Sequence, residues 1–304
     1  MTLSVVVTVV DGAEALGRCL AALAAQADAP SLEVLVPWDE TLAAIARDVA
    51  PRFPAARFVP MGTLATQHAP ASAAGLHELY DLRRAAGLGS ATGELVAMLE
   101  DRSIPRPDWA KTAVALHERL PHVVIGGVLA CGRSGVVGTA DYLCDFARYE
   151  PPTAEGPREY VSVCNVVYKR AALDRTRAMW QDRWYETKVH WALAREGHVL
   201  WLTPELVVDQ VRCDGATLGT LVRERLAWGR RFGAARAVDV GRGQALLYGV
   251  LAPVLPFVLF ARLAATQVRA GRPLRRLVAA APACLLLFAC WGGGEMLGYL
   301  TRSE

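Results

Sequence analysis

Seven cysteines are scattered through the 304 residues (Cys19, Cys131, Cys144, Cys164, Cys213, Cys284 and Cys290), and no two form a CxxC pair. That argues against a zinc ribbon or a disulfide framework, and for reduced, mostly buried thiols in a reducing compartment. An excess of one charge is also missing. The formal net charge is only +3, too small for a nucleic-acid binder, so the placement of the arginines matters more than their sum. The opening run MTLSVVVTVVDG has no basic flank and no cleavage site. It reads as a buried strand, not a signal peptide. Residues 9–15 supply no Gly-rich, Lys/Arg-containing loop, which counts against a nucleotidyltransferase.

What is plentiful is apolar: 53% of residues are hydrophobic against 21% charged, and the excess is local. Residues 3–10 form a continuous β-branched run, as expected of a strand covered on both faces. Asp11-Gly12 breaks it, and residues 13–26 then show helical spacing through Leu16, Leu20 and Leu23. The alternation continues: strand 32–37, helix 41–50, strand 57–60, a helix containing 79–86, and strand 94–99. Such a pattern predicts an open, mainly parallel sheet whose ligands sit beyond the carboxyl ends of the strands. Asp11, Asp39 and Glu100-Asp101 all fall at strand ends and converge on one crevice. Carboxylates placed there suit a metal-assisted diphosphate site, because hard cations bridge carboxylates and phosphates.

The second half is more mixed, with strands expected at 123–129, 161–168 and 199–202 and a helix at 183–196. An arginine-rich helical segment follows at 217–236. Two charge-free apolar runs come next, 245–261 and 277–294, separated by a linker carrying Arg262, Arg269, Arg272, Arg275 and Arg276. Each run is at the short end of the roughly 17–25 residues that cross a bilayer. Two spanning helices would place the basic linker outside, against the positive-inside tendency; a re-entrant or interfacial hairpin would keep it on the cytoplasmic face. The organisation expected is a catalytic domain at 1–212, a basic juxtamembrane helix at 213–243 and a hydrophobic anchoring hairpin at 244–304.

Four segments in order carry a resemblance: SVVVTVVDGAEALGRCLAALAAQ, ATGELVAMLEDRSIPRPDW, VSVCNVVYKRAALDR and WYETKVHWALAREGHVLWLTPELVV. Together they resemble family-2 glycosyltransferases over residues 1–212. The resemblance implies an α/β fold of the GT-A type (Rossmann-like, a mainly parallel mixed sheet flanked by helices), here with a C-terminal pair of hydrophobic membrane helices. It implies an inverting hexosyltransferase that uses a nucleotide-diphospho-sugar donor. Carried over, Thr8, Asp11 and Asp39 line the nucleoside pocket, Arg83 or Arg84 faces the nucleotide, and Glu100 and Asp101 hold ribose, diphosphate or metal. Glu186 takes the place of the catalytic base, Asn165 lies on the acceptor side, and His190 follows Glu186 by one helical turn.

Two departures qualify this. The acidic motif reads Glu100-Asp101-Arg102, so an arginine stands where a metal-binding Asp is usual. A divalent metal (Mg2+ or Mn2+), with Asp101 as ligand, is therefore in doubt, since Arg102 can itself pair with a phosphate. In RERLAWGRR, Trp228 and Arg230 match a processive QxxRW motif only in part. With two apolar runs there is no room for a polymer channel, so single addition is favoured. The expected partners are the donor, a lipid bilayer drawn to the arginines of 223–242, and a membrane-associated acceptor of which polyprenyl-linked intermediates are one class. The expected setting is bacterial surface-polysaccharide assembly at the inner membrane, with the catalytic domain cytoplasmic. A catalytically degenerate domain acting as a tethered scaffold is the alternative.

Overall fold

The computed structural model describes residues 1–28, 31–213 and 215–302, so the last two residues of the expected anchor lie outside it. Two compact units result. The first comprises residues 1–66, 78–132 and 149–214; the second comprises 67–77, 133–148 and 215–304.

The chain opens with β1 (Leu3–Thr8), α1 (Ala13–Ala24), β2 (Leu32–Trp38), α2 (Ala43–Val49), β3 (Ala56–Pro60), α3 (Ala73–Ser90) and β4 (Leu95–Glu100). There follow β5 (Ser103–Pro105), α4 (Trp109–Arg119), β6 (Val124–Cys131), α5 (Gly135–Phe146), β7 (Gly156–Arg158), β8 (Val166–Lys169), α6 (Arg170–Arg175), α7 (Glu186–Arg195) and β9 (Leu200–Gln210). The last stretch is helical: α8 (Leu218–Val240), α9 (Arg242–Leu251), α10 (Leu255–Arg269) and α11 (Leu274–Thr301).

Among the described residues, nine strands join one mixed sheet in the order β3-β2-β1-β4-β8-β6-β9-β5, with β7 added beside β9. β1 to β4 pair in parallel, and every side chain of β1 is buried, which is why its sequence is a continuous apolar run rather than an alternation. Beyond β4 the sheet turns mixed: β8 runs antiparallel to both β4 and β6, while β6 and β9 are parallel. Because β1 sits between β2 and β4, successive crossovers leave it in opposite directions, and a crevice opens at the carboxyl ends of β1 and β4. Thr8 and Glu100 face each other across that pairing.

Several boundaries differ from those the sequence predicts. The expected strand 161–168 is strand only from Val166, because Asn165 closes a turn back onto Ser162 O at 2.9 Å. The strand expected at 199–202 extends to Gln210. The two apolar runs belong to helical segments of 28 residues each, Arg242–Arg269 and Leu274–Thr301, so Arg262 and Arg269 lie within the first helix and not in a linker. All seven cysteines are free.

The second unit is helical, and its tightest packing comes from glycines. α8 is capped by Thr217, whose hydroxyl accepts the Thr220 amide at 3.2 Å. It then runs along the second half of α11 at backbone contact. A Cβ on Gly298 would stand 2.1 Å from Arg230 O, one on Gly294 2.2 Å from Leu226 O, and one on Gly233 2.4 Å from Glu295 O. Arg225 forks from α8 onto Asp141 (2.9 Å) and Asp145 (2.6 Å) of α5, and Asp141 also takes Arg133.

This contact yields a paired prediction. Gly298→Ala must force the helices apart and should cost about 1–3 kcal/mol, read as a lower urea midpoint. Gly293→Ala, whose added Cβ meets only Leu226 Cδ1 at 3.9 Å, should be neutral or stabilising by up to about 1 kcal/mol.

Candidate functional site

The carboxyl edge of β1 and β4 gathers four acidic and three basic side chains from distant parts of the sequence. Asp101 is fully buried and turned back on the chain. Its carboxylate accepts the amides of Asp11 (2.9 Å) and Gly12 (3.0 Å). Gly12 makes this possible, since its φ of 117° aims the loop amides inward and is a conformation other residues rarely adopt. Burial pushes the Asp101 carboxyl up to about 7 despite these donors and the nearby Arg102.

With Asp101 committed to backbone, its neighbours point elsewhere. Glu100 accepts Arg84 Nη2 at 2.6 Å, and Arg84 also donates to Asp81 at 3.2 Å. Arg102 stands 3.5 Å from Asp11, which also accepts the Cys213 amide. The antiparallel β5–β9 pairing continues one residue further, through Val211 N to Arg102 O at 2.9 Å. It brings Arg212 close enough for its charge to repel that of Arg102. Two guanidiniums therefore share this edge.

Arg83 and Arg84 are adjacent in sequence and diverge on α3. Arg83 is buried, donating to Asp39 (2.6 Å), Thr41 Oγ1 (2.8 Å) and Val9 O (3.2 Å). The other Asp39 oxygen takes the Thr41 amide and hydroxyl. Burial alone would raise the Asp39 carboxyl, but these donors outweigh it and hold it below its ordinary value. Of the two arginines either of which was expected to face the nucleotide, Arg83 directs these donors into the protein. Asp39, expected to accept from a base, already has Arg83 on one oxygen and Thr41 on the other.

Glu186 is the first residue of α7. Its Oε1 is enclosed and has no hydrogen-bond partner. Burial lifts its pKa to about 8; Arg84 and the Val163 amide pull it down, while Glu100 and Asp81 push it further up. Thr8 Oγ1, across from Glu100, is also enclosed and unpartnered. A carboxylate titrating near neutrality, at a strand-end crevice, beside an arginine that can hold its anion, has the properties of a general base.

Two residues expected on the acceptor side are buried. Asn165 is fully buried: Oδ1 accepts Trp109 Nε1 (2.9 Å), and Nδ2 donates to Val128 O and Leu206 O (3.0 Å each), so it pins α4 to the sheet. His190 is fully buried against the Tyr168 hydroxyl (2.9 Å), and burial lowers its pKa to about 3, so it stays neutral. Trp228 and Arg230 lie on α8 in the second unit, where the Trp228 ring stands edge-on to His77 at 5.7 Å. The metal expectation at Asp101 does not fit either. Its oxygens face amides, Glu100 is held by Arg84, and no cluster of three His, Cys, Asp or Glu side chains suited to a metal occurs among the described residues.

Asp81 and Arg212 were not foreseen. Asp81 could have been found from its spacing of three before Arg84 on one helix; Arg212 is brought in by strand pairing, which leaves no local signal.

No protein-family model matches the sequence, and no curated protein does. Solved structures do match. The mannosyltransferase PcManGT from Pyrobaculum calidifontis, in complex with GDP-Man and Mn2+, is 17% identical with a TM-score of 0.52, over 99% of this chain and 85% of that one. S. aureus TarS 1-349, in complex with UDP-GlcNAc, is 15% identical with a TM-score of 0.54, over 93% of this chain and 79% of that one. At such identities the likeness shows the fold alone, a mixed sheet flanked by helices.

Two pH dependences follow from Glu186. In the role of a base Glu186 would work unprotonated, and kcat/KM should then rise with pH up to about 8. Between its ordinary value of 4.5 and about 8, the native state holds a proton that the unfolded chain has lost. Glu186 therefore lowers stability as pH rises through that window. Glu186→Gln removes this loss, so its Tm relative to wild type should climb between pH 5 and pH 9.

Proposed function

We propose that the first unit is an inverting glycosyltransferase that moves a sugar from a nucleotide-diphospho-sugar to an acceptor hydroxyl. The observation that carries this reading is Glu186, a carboxylate at the strand-end crevice whose Oε1 is enclosed without a hydrogen-bond partner and whose pKa is raised. Glu186 takes the proton of the acceptor hydroxyl as its oxygen attacks the anomeric carbon in line. The bond from that carbon to the diphosphate breaks, and the nucleoside diphosphate leaves with its electron pair. Arg84 lies beside Glu186 and favours its anion.

The leaving diphosphate gains negative charge, which must be neutralised. PcManGT is described with Mn2+. In this chain the carboxylates that would hold a cation are engaged, and Arg102 and Arg212 put two guanidiniums at the same edge. Guanidinium forks match phosphate oxygens bidentately. We assign the neutralising role to this pair. The sugar is added once, to a membrane-associated acceptor, as the apolar helices of the second unit favour. Lipid-linked intermediates of surface-glycan assembly, met on the cytoplasmic face of the inner membrane, suit that arrangement.

The turned-in Asp101 and the Arg102 substitution also favour a second reading, a donor-binding scaffold without turnover. Donor hydrolysis over a panel of UDP- and GDP-sugars separates the two. Glu186→Gln should slow it by about 10²–10⁴-fold, whereas equal rates in both proteins would leave only the scaffold. EDTA should spare most of the wild-type rate, and Arg102→Ala should remove most of it. Abolition by EDTA with full recovery on Mg2+ or Mn2+ would overturn the arginine assignment.

A further inference from the structure

We propose that the second unit docks into one leaflet of an anionic lipid bilayer through the outer face of α9, α10 and the start of α11, without crossing it. Both C-terminal helical segments are long and apolar enough to span, but their neighbours forbid it. One face of α11 is packed along its length, while Val278, Leu286, Leu297 and Leu300 on the other are exposed. Its first half lies against α5, where Cys284 Sγ meets Ala140 O at 3.9 Å and Arg272, just before the helix, donates to Ala147 O at 3.0 Å. Its second half is in backbone contact with α8 at Gly294 and Gly298. α5 and α8 carry Asp141, Asp145, Arg223, Glu224, Arg225, Arg230, Arg231, Arg236 and Asp239. If α11 crossed the hydrocarbon, these two helices would have to enter it with their charges, which is strongly unfavourable.

The opposite side of the bundle is different. Leu246, Leu247, Val250, Leu251, Val254 and Phe257 recur at helical spacing along α9 and α10 and are all exposed, Val250 at 67% and Phe257 at 68%. Val278 continues the apolar surface on α11. Arg242, Arg262, Arg269 and Arg275 border it and are exposed, and residues 242–294 contain no acidic side chain. An apolar stripe whose own segment carries exposed cations and no acidic side chain complements anionic headgroups above acyl chains. A second copy of the chain would bring the same cations together, so the lipid surface is the better match.

The proposal does not rest on the transfer chemistry, since vesicle binding and donor turnover are separate readouts. The full chain is mixed with preformed phosphatidylcholine vesicles, with and without phosphatidylglycerol. Binding should require the anionic lipid, weaken with salt, and fall about tenfold or more in the double variant Val250→Glu, Phe257→Glu, whose Tm should stay near wild type because both sites are exposed. Depth is read with an impermeant maleimide on Gly243→Cys and Pro273→Cys, both exposed positions at opposite ends of the α9–α10 segment. Each should gain one label over the parent chain before the vesicles are lysed. Protection of Pro273→Cys until lysis would show a spanning hairpin and overturn the proposal. So would failure to bind anionic vesicles, including failure accompanied by a dimer in light scattering.

Discussion

The site depends on one carboxylate, Asp101, which accepts the backbone amides of Asp11 and Gly12. That contact ties the end of β4 to the loop after β1, the two places where the parallel half of the sheet opens its crevice. It also fixes which way the flanking side chains point. Glu100, on the strand's other side, is delivered to Arg84, and Arg102 is delivered to Asp11. A buried carboxyl with a pKa near 7 would be a liability in isolation. Here it is satisfied by two amides in a turn that requires Gly12, so fold and site share one constraint.

From it follows a site run on arginines. Arg83 is spent internally, locking Asp39 and the end of β2. Arg84 links Asp81, Glu100 and, through its charge, Glu186. Arg102, buried and paired with Asp11, lies close to Arg212, and these are the two guanidiniums proposed to meet a donor's diphosphate. Neutralisation by guanidinium differs from neutralisation by a divalent ion in being built into the chain, always charged and directional.

Much of the first unit is readable from sequence because β1 and β4 are buried on both faces, which leaves continuous apolar runs that composition alone reveals. β5 and β7, of three residues each, are too short for any periodicity. The expected strand at 161–168 failed because a polar turn at Ser162–Asn165 hides inside an apolar stretch, and that same turn placed Asn165 in the core. Glu186 and His190 both lie on α7, but spacing does not say which face is the core, and His190 is buried in it. The pair Arg83-Arg84 shows the same limit, since a step of about 100° between neighbours lets only one face the crevice. Residues joined by β-pairing, such as Arg212, carry no local sign.

The most direct test is a crystal structure with a nucleoside diphosphate, grown once in EDTA and once in Mn2+. The account predicts the diphosphate against Arg102 and Arg212 in both, with Asp101 still bonded to the amides of Asp11 and Gly12. A cation bridging the diphosphate to Asp101, with that turn opened, would contradict it.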